Sequence, residues 1–317
     1  MTLVDILQAR RRISPYVRRT PLVESAWLSS VTAGRVSLKL ESLQVASSFK
    51  SRGAFNAVLA RRERGQDVTT ELVTASAGNH GRALAAAAQT FGLRLVVFTP
   101  LDAPRAKLDA IRRHGATLRA EGRDYDEAER MAKAFAAETG APFVSPYNDP
   151  DVIAGAGTIG PELLEDVPEL DAVLVPIGGG GLIGGVAAAV KHIHPSCRVV
   201  GVEAAVSCPF QTSIKAGRLV EIVPGTSLAD GLTGNPDRET ITLPLVQKHV
   251  DEIVTVTEDE IAAAIAGLVE FEHLIAEGAG AVGVAALLAG KVRSARIATI
   301  LTGSNIDRTR LATLIAV

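Results

Sequence analysis

The sequence predicts an α/β protein made of two parallel-sheet, doubly wound domains. Two observations carry that prediction. Short, continuously apolar runs alternate with longer alanine-rich runs along the chain. Strands without polar alternation are those covered on both faces, as in parallel sheets flanked by helices. The alternation also falls into two series, parted by an irregular stretch containing Pro142, Pro146 and Pro150.

The first residues, 1–19, are arginine-rich and amphipathic, with Val4, Ile6, Leu7, Ile13 and Val17 spread among the charges. They lack the apolar core of a signal peptide, and Asp5 weighs against a transit peptide, so a cytoplasmic protein is expected. A first strand is expected at 36–40 (VSLKL). After it, Ser47-Ser48-Phe49-Lys50-Ser51-Arg52-Gly53-Ala54 leads into a helix on which Ala54, Phe55, Val58 and Leu59 recur at helical spacing. A lysine on such a shoulder, half-buried at a helix start, has a lowered pKa and offers a neutral amine for Schiff-base chemistry.

The next elements are strands at 71–74 and 93–98 and helices at 82–91, 104–114 and 125–138. They form one compact set, expected as a smaller, substrate-closing domain over 67–148, with 1–66 and 149–317 forming the larger one. The second series has strands at 172–176, 198–202 and 296–301 and helices at 182–193 and 258–272.

Composition narrows the function classes. A chain of 317 residues accommodates about two domains. At 47% hydrophobic and 21% charged it can bury a large core, and its net charge of −2 is spread among interspersed signs. There is no footprint for nucleic acid or an anionic membrane, and 4% aromatics argues against base stacking. No uninterrupted apolar stretch reaches the ~18 residues of a membrane span. Cys197 and Cys208 have neither CxxC spacing nor a histidine cluster, so they read as reduced thiols rather than zinc ligands.

Three strand–loop–helix junctions carry the chemistry. Gly178, Gly179, Gly180 and Gly181 follow the strand at 172–176 and precede a helix from Leu182. Such a run turns backbone N–H groups into one concavity at a helix start, which suits a phosphate. It is neither GxGxxG nor a Walker A loop. Ser76-Ala77-Gly78-Asn79-His80-Gly81 is a second junction, suited to a carboxylate, and an ordinary helix cap is its competing reading. Thr302-Gly303-Ser304-Asn305 places a hydroxyl at the end of the last strand.

Taken together, SSFKSRGA, SAGNHG, GGGGLIGG, GVEA, TSLADG, AEGAGA and LTGSN, in that order, resemble the fold type II family of pyridoxal phosphate enzymes. That family has the tryptophan synthase β-like fold, and the branch resembled is that of threonine and serine dehydratases and serine racemases. The resemblance spans essentially the whole chain. It implies that Lys50 binds the cofactor as a Schiff base and, once released, removes the substrate's α-proton. It implies that Phe49 packs beside the cofactor ring and that Gly178, Gly179, Gly180, Gly181 and Leu182 cradle its phosphate. Asn79 would hydrogen-bond the phenolic oxygen and Thr302 would face the pyridine nitrogen, a weaker electron sink than a carboxylate partner would give. Ser76, with the backbone of Ala77, Gly78, Asn79 and His80, would hold the substrate carboxylate. Glu277 matches a family carboxylate near the cofactor, and an exposed loop acid is its competing reading.

The implied activity is elimination of water from a β-hydroxy amino acid, L-threonine or L-serine by default, giving a 2-oxo acid and ammonia. A phenylserine- or hydroxyaspartate-like substrate, a serine or other amino-acid racemase, β-replacement and an amino-acid sensor are the alternatives. Racemases carry a second serine at the place of Ala77, which has no proton to give, so dehydration is favoured. Relatives with a divalent cation use an acid, a residue four further on and an acid two beyond that. Here these positions are Glu203, Ser207 and Pro209, and the last has no ligand side chain, so no metal is expected. The chain ends soon after its last expected strand, and no appended regulatory domain is expected. Arg82, His273 and the stretch 231–236 are less typical of the family and are read either as tuning substrate choice or as plain variation. A homodimer acting on a small-molecule amino acid, with no nucleic-acid or membrane partner, completes the expectation.

Overall fold

The structure is a computed structural model that describes residues 1–66 and 71–316. Residue 67, where the smaller domain is expected to begin, and Val317, where the larger one ends, lie outside the described residues.

The chain opens with α1 (Leu3–Ile13), β1 (Leu22–Glu24), α2 (Ala26–Thr32), β2 (Arg35–Lys39) and α3 (Lys50–Glu63). Then come β3 (Glu71–Ala75), α4 (Asn79–Thr90), β4 (Arg94–Pro100), α5 (Arg105–Arg112), β5 (Thr117–Gly122) and α6 (Tyr125–Thr139). Helices α7 (Pro150–Gly157) and α8 (Ile159–Asp166) lead to β6 (Ala172–Pro176), α9 (Gly181–Ile193), β7 (Arg198–Ala204) and α10 (Pro209–Ala216). The chain closes with α11 (Thr242–His249), β8 (Glu252–Val256), α12 (Glu258–Glu272), α13 (Gly278–Leu288), β9 (Arg296–Ile300) and α14 (Arg308–Ile315). Helix starts follow local chemistry. Thr2 with Asp5 and Thr257 with Glu260 form reciprocal capping boxes on α1 and α12. Gly140, at φ 73°, ends α6 in the left-handed conformation that glycine adopts without steric cost.

Two sheets result. The larger runs β1-β2-β9-β6-β7-β8 and the smaller β3-β4-β5. Every pairing is parallel except that of β1 with β2, an antiparallel edge of three residues. One core packs α2, α12 and α13 on one face of the larger sheet through Leu38, Leu174, Val200, Ile265 and Val282. Another packs α8, α9 and α11 on the opposite face through Leu163, Val173, Val186, Val246 and Ala298. The smaller sheet is likewise sandwiched, between α3 with α4 and, on its other face, α6.

Chain order explains where a ligand goes. From β6 the chain moves outward to β7 and β8, then returns as β9 on the other side of β6. Parallel sheets open a crevice at the C-terminal ends of strands where the order reverses. The tetraglycine run follows β6 and Thr302 follows β9, so both emerge at that crevice.

Three strands depart from the sequence expectation. β1 is short, β5 is a sheet edge whose Arg119 and Glu121 interrupt its apolar run, and β8 is the opposite edge of the larger sheet. The helix expected from Arg82 begins at Asn79, which puts Asn79 and His80 in its first turn.

Candidate active site

Lys50 is the first residue of α3. The approach to it is held under constraint. Ala46 and Ser47 take left-handed φ values of 55° and 59°, a region costly for residues with a Cβ. The loop after β9 stabilises them. Asn305 Nδ2 donates to the Ala46 carbonyl at 3.0 Å, and the Ser304 and Phe49 amides bond Ser47 and Thr302 carbonyls at 3.0 Å each. The Lys50 amine donates to the Pro146 carbonyl at 2.7 Å and lies 5.1 Å from the centre of the Phe49 ring. The residue is half-buried. Burial lowers its pKa from 10.5 to about 8, against the opposing pull of the Glu277 charge.

Two residues on, Arg52 is fully buried and anchors α3. Its guanidinium makes a forked pair with Glu41, at 2.8 and 2.9 Å. It also bonds Glu162, at 2.7 and 2.9 Å. Lys39 completes the group at 2.6 Å from Glu162. Two cations and two anions thus neutralise one another in the interior, the condition under which buried charge is tolerated.

The run Gly178–Gly181 turns between β6 and α9. Gly180 has φ 82°. A Cβ on Gly179 would stand 2.3 Å from the Tyr147 ring, and one on Gly180 would stand 2.6 Å from the Phe210 ring. Among the described residues, no protein acceptor meets the backbone N–H of Gly178, Gly179, Gly180, Gly181 or Leu182. Five adjacent free donors at the start of a helix of 13 residues form an anion cradle. Tyr147 ties the cradle to Lys50, because it follows the carbonyl that the lysine amine bonds.

The Ser76 loop is built the same way after β3. The Ser76 amide bonds the Phe98 carbonyl, and the Ser76 hydroxyl accepts from Gly78. Among the described residues, the amides of Ala77, Asn79 and His80 have no protein acceptor. His80 is buried and its Nε2 lies 3.2 Å from the Val144 carbonyl. Burial, and then the Lys50 charge, lower its pKa to about 3, so it stays neutral. The loop therefore offers uncharged donors at its backbone.

Asn79 joins this loop to the opposite wall. Its Nδ2 donates to Glu277, and its Oδ1 accepts from Asn305 at 2.7 Å. Glu277 stands at the start of α13. It is not an exposed loop acid: burial raises its pKa to about 7, against the Asn79 hydrogen bond. Thr302 is buried, with its hydroxyl on the Ala279 carbonyl at 3.3 Å. Phe49 thus contacts both Lys50 and Thr302, Asn79 bonds Glu277, Gly303 and Asn305 join the two groups, and Gly178–Gly181 connect to Lys50 through Pro146 and Tyr147.

Glu203 does different work. Its carboxylate accepts from the Phe210 and Gln211 amides at 2.9 and 2.8 Å, holding the start of α10. Three partners were not singled out from sequence: Pro146, Tyr147 and Asn305. Asn305 carried a signal, three places beyond Thr302 in LTGSN. Pro146 and Tyr147 act through a backbone carbonyl and a ring face, which no spacing rule marks.

Known proteins resemble this chain over most of its length. The family model described as pyridoxal-phosphate dependent enzyme matches residues 13–303. An L-threonine ammonia-lyase of Thermotoga maritima is 44% identical over 310 residues, covering 97% of this chain and 76% of that protein. The solved structure of T.th. threonine deaminase is 37% identical with a TM-score of 0.90, covering 97% of this chain and 99% of its own. Maize serine racemase is 33% identical with a TM-score of 0.92, covering 99% and 97%.

Proposed function

The chain belongs to the pyridoxal-phosphate-dependent enzymes, and from that premise we propose that it is an ammonia-lyase that dehydrates L-threonine, with L-serine as a second substrate. The observation that carries this reading is a lysine of lowered pKa beside an anion cradle of five free amides, facing a second loop of uncharged donors. Those residues fit pyridoxal phosphate: the cradle takes a phosphate, the amine takes an aldehyde, and Phe49 and Thr302 border the space between. When bound, the cofactor supplies the carbonyl that captures the substrate amine and the ring that acidifies its α-carbon.

The chain's own groups do the rest. Gly178–Gly181 and Leu182 would hold the phosphate through backbone N–H groups, which need no induced charge. The Ser76–His80 loop orients the α-carboxylate through the amides of Ala77, Asn79 and His80 and the Ser76 hydroxyl. His80, held neutral by burial, adds no cation there. Lys50, with a pKa of about 8, is basic enough to take the α-proton yet keeps a neutral fraction of roughly a tenth to a fifth near physiological pH, far above that of an ordinary lysine. Asn79, which bonds Glu277 here, would donate to the cofactor's phenolic oxygen. Ala77 leaves the opposite side without a proton donor, which supports elimination over racemisation. A homodimer in the cytoplasm belongs to the same reading, supported by the family resemblance; no helix among the described residues is long and apolar enough to cross a membrane.

The test is release of 2-oxo acid and ammonia by cofactor-loaded protein from a panel of β-hydroxy amino acids, both enantiomers of each. L-Threonine is expected to turn over fastest, with D-serine formation from L-serine far slower than dehydration. Lys50→Ala is expected to abolish both turnover and the visible absorbance of the loaded protein. Turnover retained by that variant would remove the assignment.

A further inference from the structure

Arg82 lies in the first turn of α4, three residues beyond Asn79. A guanidinium is costly there. Burial and the nearby Arg113 charge lower its pKa, against the favourable Glu277 charge, and among the described residues its buried Nε has no hydrogen-bond partner. The arginine nevertheless reaches across the cleft to Asn305 on the far wall.

The hydrogen bonds from that point run in one direction. Arg82 Nη1 donates to Asn305 Oδ1. Asn305 Nδ2 donates to the Ala46 carbonyl at 3.0 Å and to Asn79 Oδ1 at 2.7 Å. Asn79 Nδ2 then donates to Glu277. A side-chain amide has two ends of nearly equal shape, and only its partners decide which way it points. Arginine can only donate and a backbone carbonyl can only accept. Arg82 and Ala46 therefore fix both ends of Asn305, and Asn305 must present an N–H to Asn79. Asn79 answers with its oxygen, which leaves its NH₂ group turned into the site.

Glu277 alone does not secure this orientation. Its pKa is raised to about 7, so near neutrality a fraction of it is the protonated acid. A protonated carboxyl can donate to the oxygen of a flipped amide as well as accept from an unflipped one. The orienting partner has to be a group that does not change its role with pH. The guanidinium is such a group.

We propose that Arg82 is a positioning residue: acting through Asn305, it holds the Asn79 amide as a donor toward the cofactor's phenolic oxygen. The inference rests on the pyridoxal phosphate reading above. A donor at that oxygen favours its ionised form, and hydrogen bonds to charged groups are worth about 1.5–3 kcal/mol, roughly a tenfold to hundredfold effect on binding.

The experiment measures cofactor affinity and the pH dependence of the bound cofactor's absorbance in wild type, Arg82→Met and Arg82→Lys. Arg82→Met keeps an unbranched chain but cannot donate; Arg82→Lys still can. The expected result for Arg82→Met is cofactor affinity weaker by about tenfold, with absorbance moved from the visible band toward the near ultraviolet at every pH. Arg82→Lys is expected to recover most of both. Wild-type affinity and absorbance in Arg82→Met overturn the proposal, as does equal loss in both variants, which would assign the effect to guanidinium packing. If Arg82→Met does not fold, Asn305→Asp serves instead. It keeps an acceptor for Arg82 but offers Asn79 no N–H, so the same spectral shift is expected, and a wild-type spectrum overturns the proposal. Failure of wild type to bind the cofactor would sink the functional reading itself, an outcome distinct from all of these.

Discussion

At the scale of the residue, the decisive property is the basicity of Lys50. A lysine brought from 10.5 to about 8 has its charged form disfavoured in the folded chain. The neutral fraction then rises about tenfold per pH unit below 8 and levels off above it. Covalent capture of added pyridoxal phosphate by the cofactor-free protein, followed by its visible absorbance, is expected to accelerate in the same way and to reach a plateau above about pH 8. A rate still climbing near pH 10 would return Lys50 to an ordinary lysine. The sign for stability agrees: the unfolded chain binds this proton more tightly, so the lysine's contribution to cofactor-free stability grows as pH rises from about 8 to 10.5. Lys50 was legible in the sequence because a hydroxyl-rich turn and a helical repeat flank it. Its partner was not, because Pro146 stands 96 residues away and contributes only a carbonyl. Asn305 was quoted within a motif without a role, since the direction of a hydrogen-bond chain exists only once side chains from three separate segments meet.

At the scale of the element, the strand–glycine–helix unit formed by β6, the tetraglycine turn and α9 concentrates what the site needs. Its glycines differ in what they allow. Gly180 needs its positive φ, whereas Gly179 needs room, since a Cβ there would press into the Tyr147 ring at 2.3 Å. Overpacking of that kind costs about 1–3 kcal/mol, and here the strain falls on the loop carrying the free amides. Gly179→Ala is therefore expected to weaken cofactor binding by about tenfold to a hundredfold. Equilibrium titration of the cofactor against the Tyr147→Ala background checks the mechanism, because removing the ring should restore much of the loss. Undiminished loss in that background would place the effect elsewhere in the loop. The glycine run and its flanking strand and helix were readable because four glycines between an apolar strand and an apolar helix have few other uses. The edge strand β5 was not, since an edge tolerates charges such as Arg119 and Glu121 that break the apolar pattern.

At the scale of the whole molecule, the site lies between two sheets whose cores are not cleanly separate. Ala54, Phe55 and Val58 of α3 pack with Leu72, Ala83 and Leu84 of the smaller sheet's layer. The same helix is tied at its start to the loop after β9, through the Phe49 amide and the Thr302 carbonyl. It also packs tightly on α7, where a Cβ on Gly155 would stand 2.4 Å from the Arg52 carbonyl. A helix held at both sides cannot swing with either, so closure of the smaller unit over substrate, a proposal drawn from the two-series layout, takes the form of β3–β5 with α4 and α6 sliding along α3. Sliding of packed layers gives small displacements, in contrast to hinge rotation. One contact already spans the cleft from α5: Lys107 meets Asp230 at 2.6 Å, with both side chains well exposed. An exposed pair of this kind is worth at most about 1 kcal/mol, and it adds to the bonds of Asn79 with Glu277 and Asn305 and of Arg82 with Asn305 that already join the two sides. Substrate binding at the Ser76–His80 loop would add to these, because that loop belongs to the moving side and the cradle to the fixed one. Small-angle scattering of cofactor-loaded protein is therefore expected to show a modest contraction on adding an unreactive amino-acid analogue. Lys107→Met is expected to leave that contraction in place while raising KM less than about fivefold, with kcat little changed. Scattering curves that coincide with and without the analogue would mean that the cleft is already in its working form, and that the free amides of Ala77, Asn79 and His80 await the carboxylate where they stand.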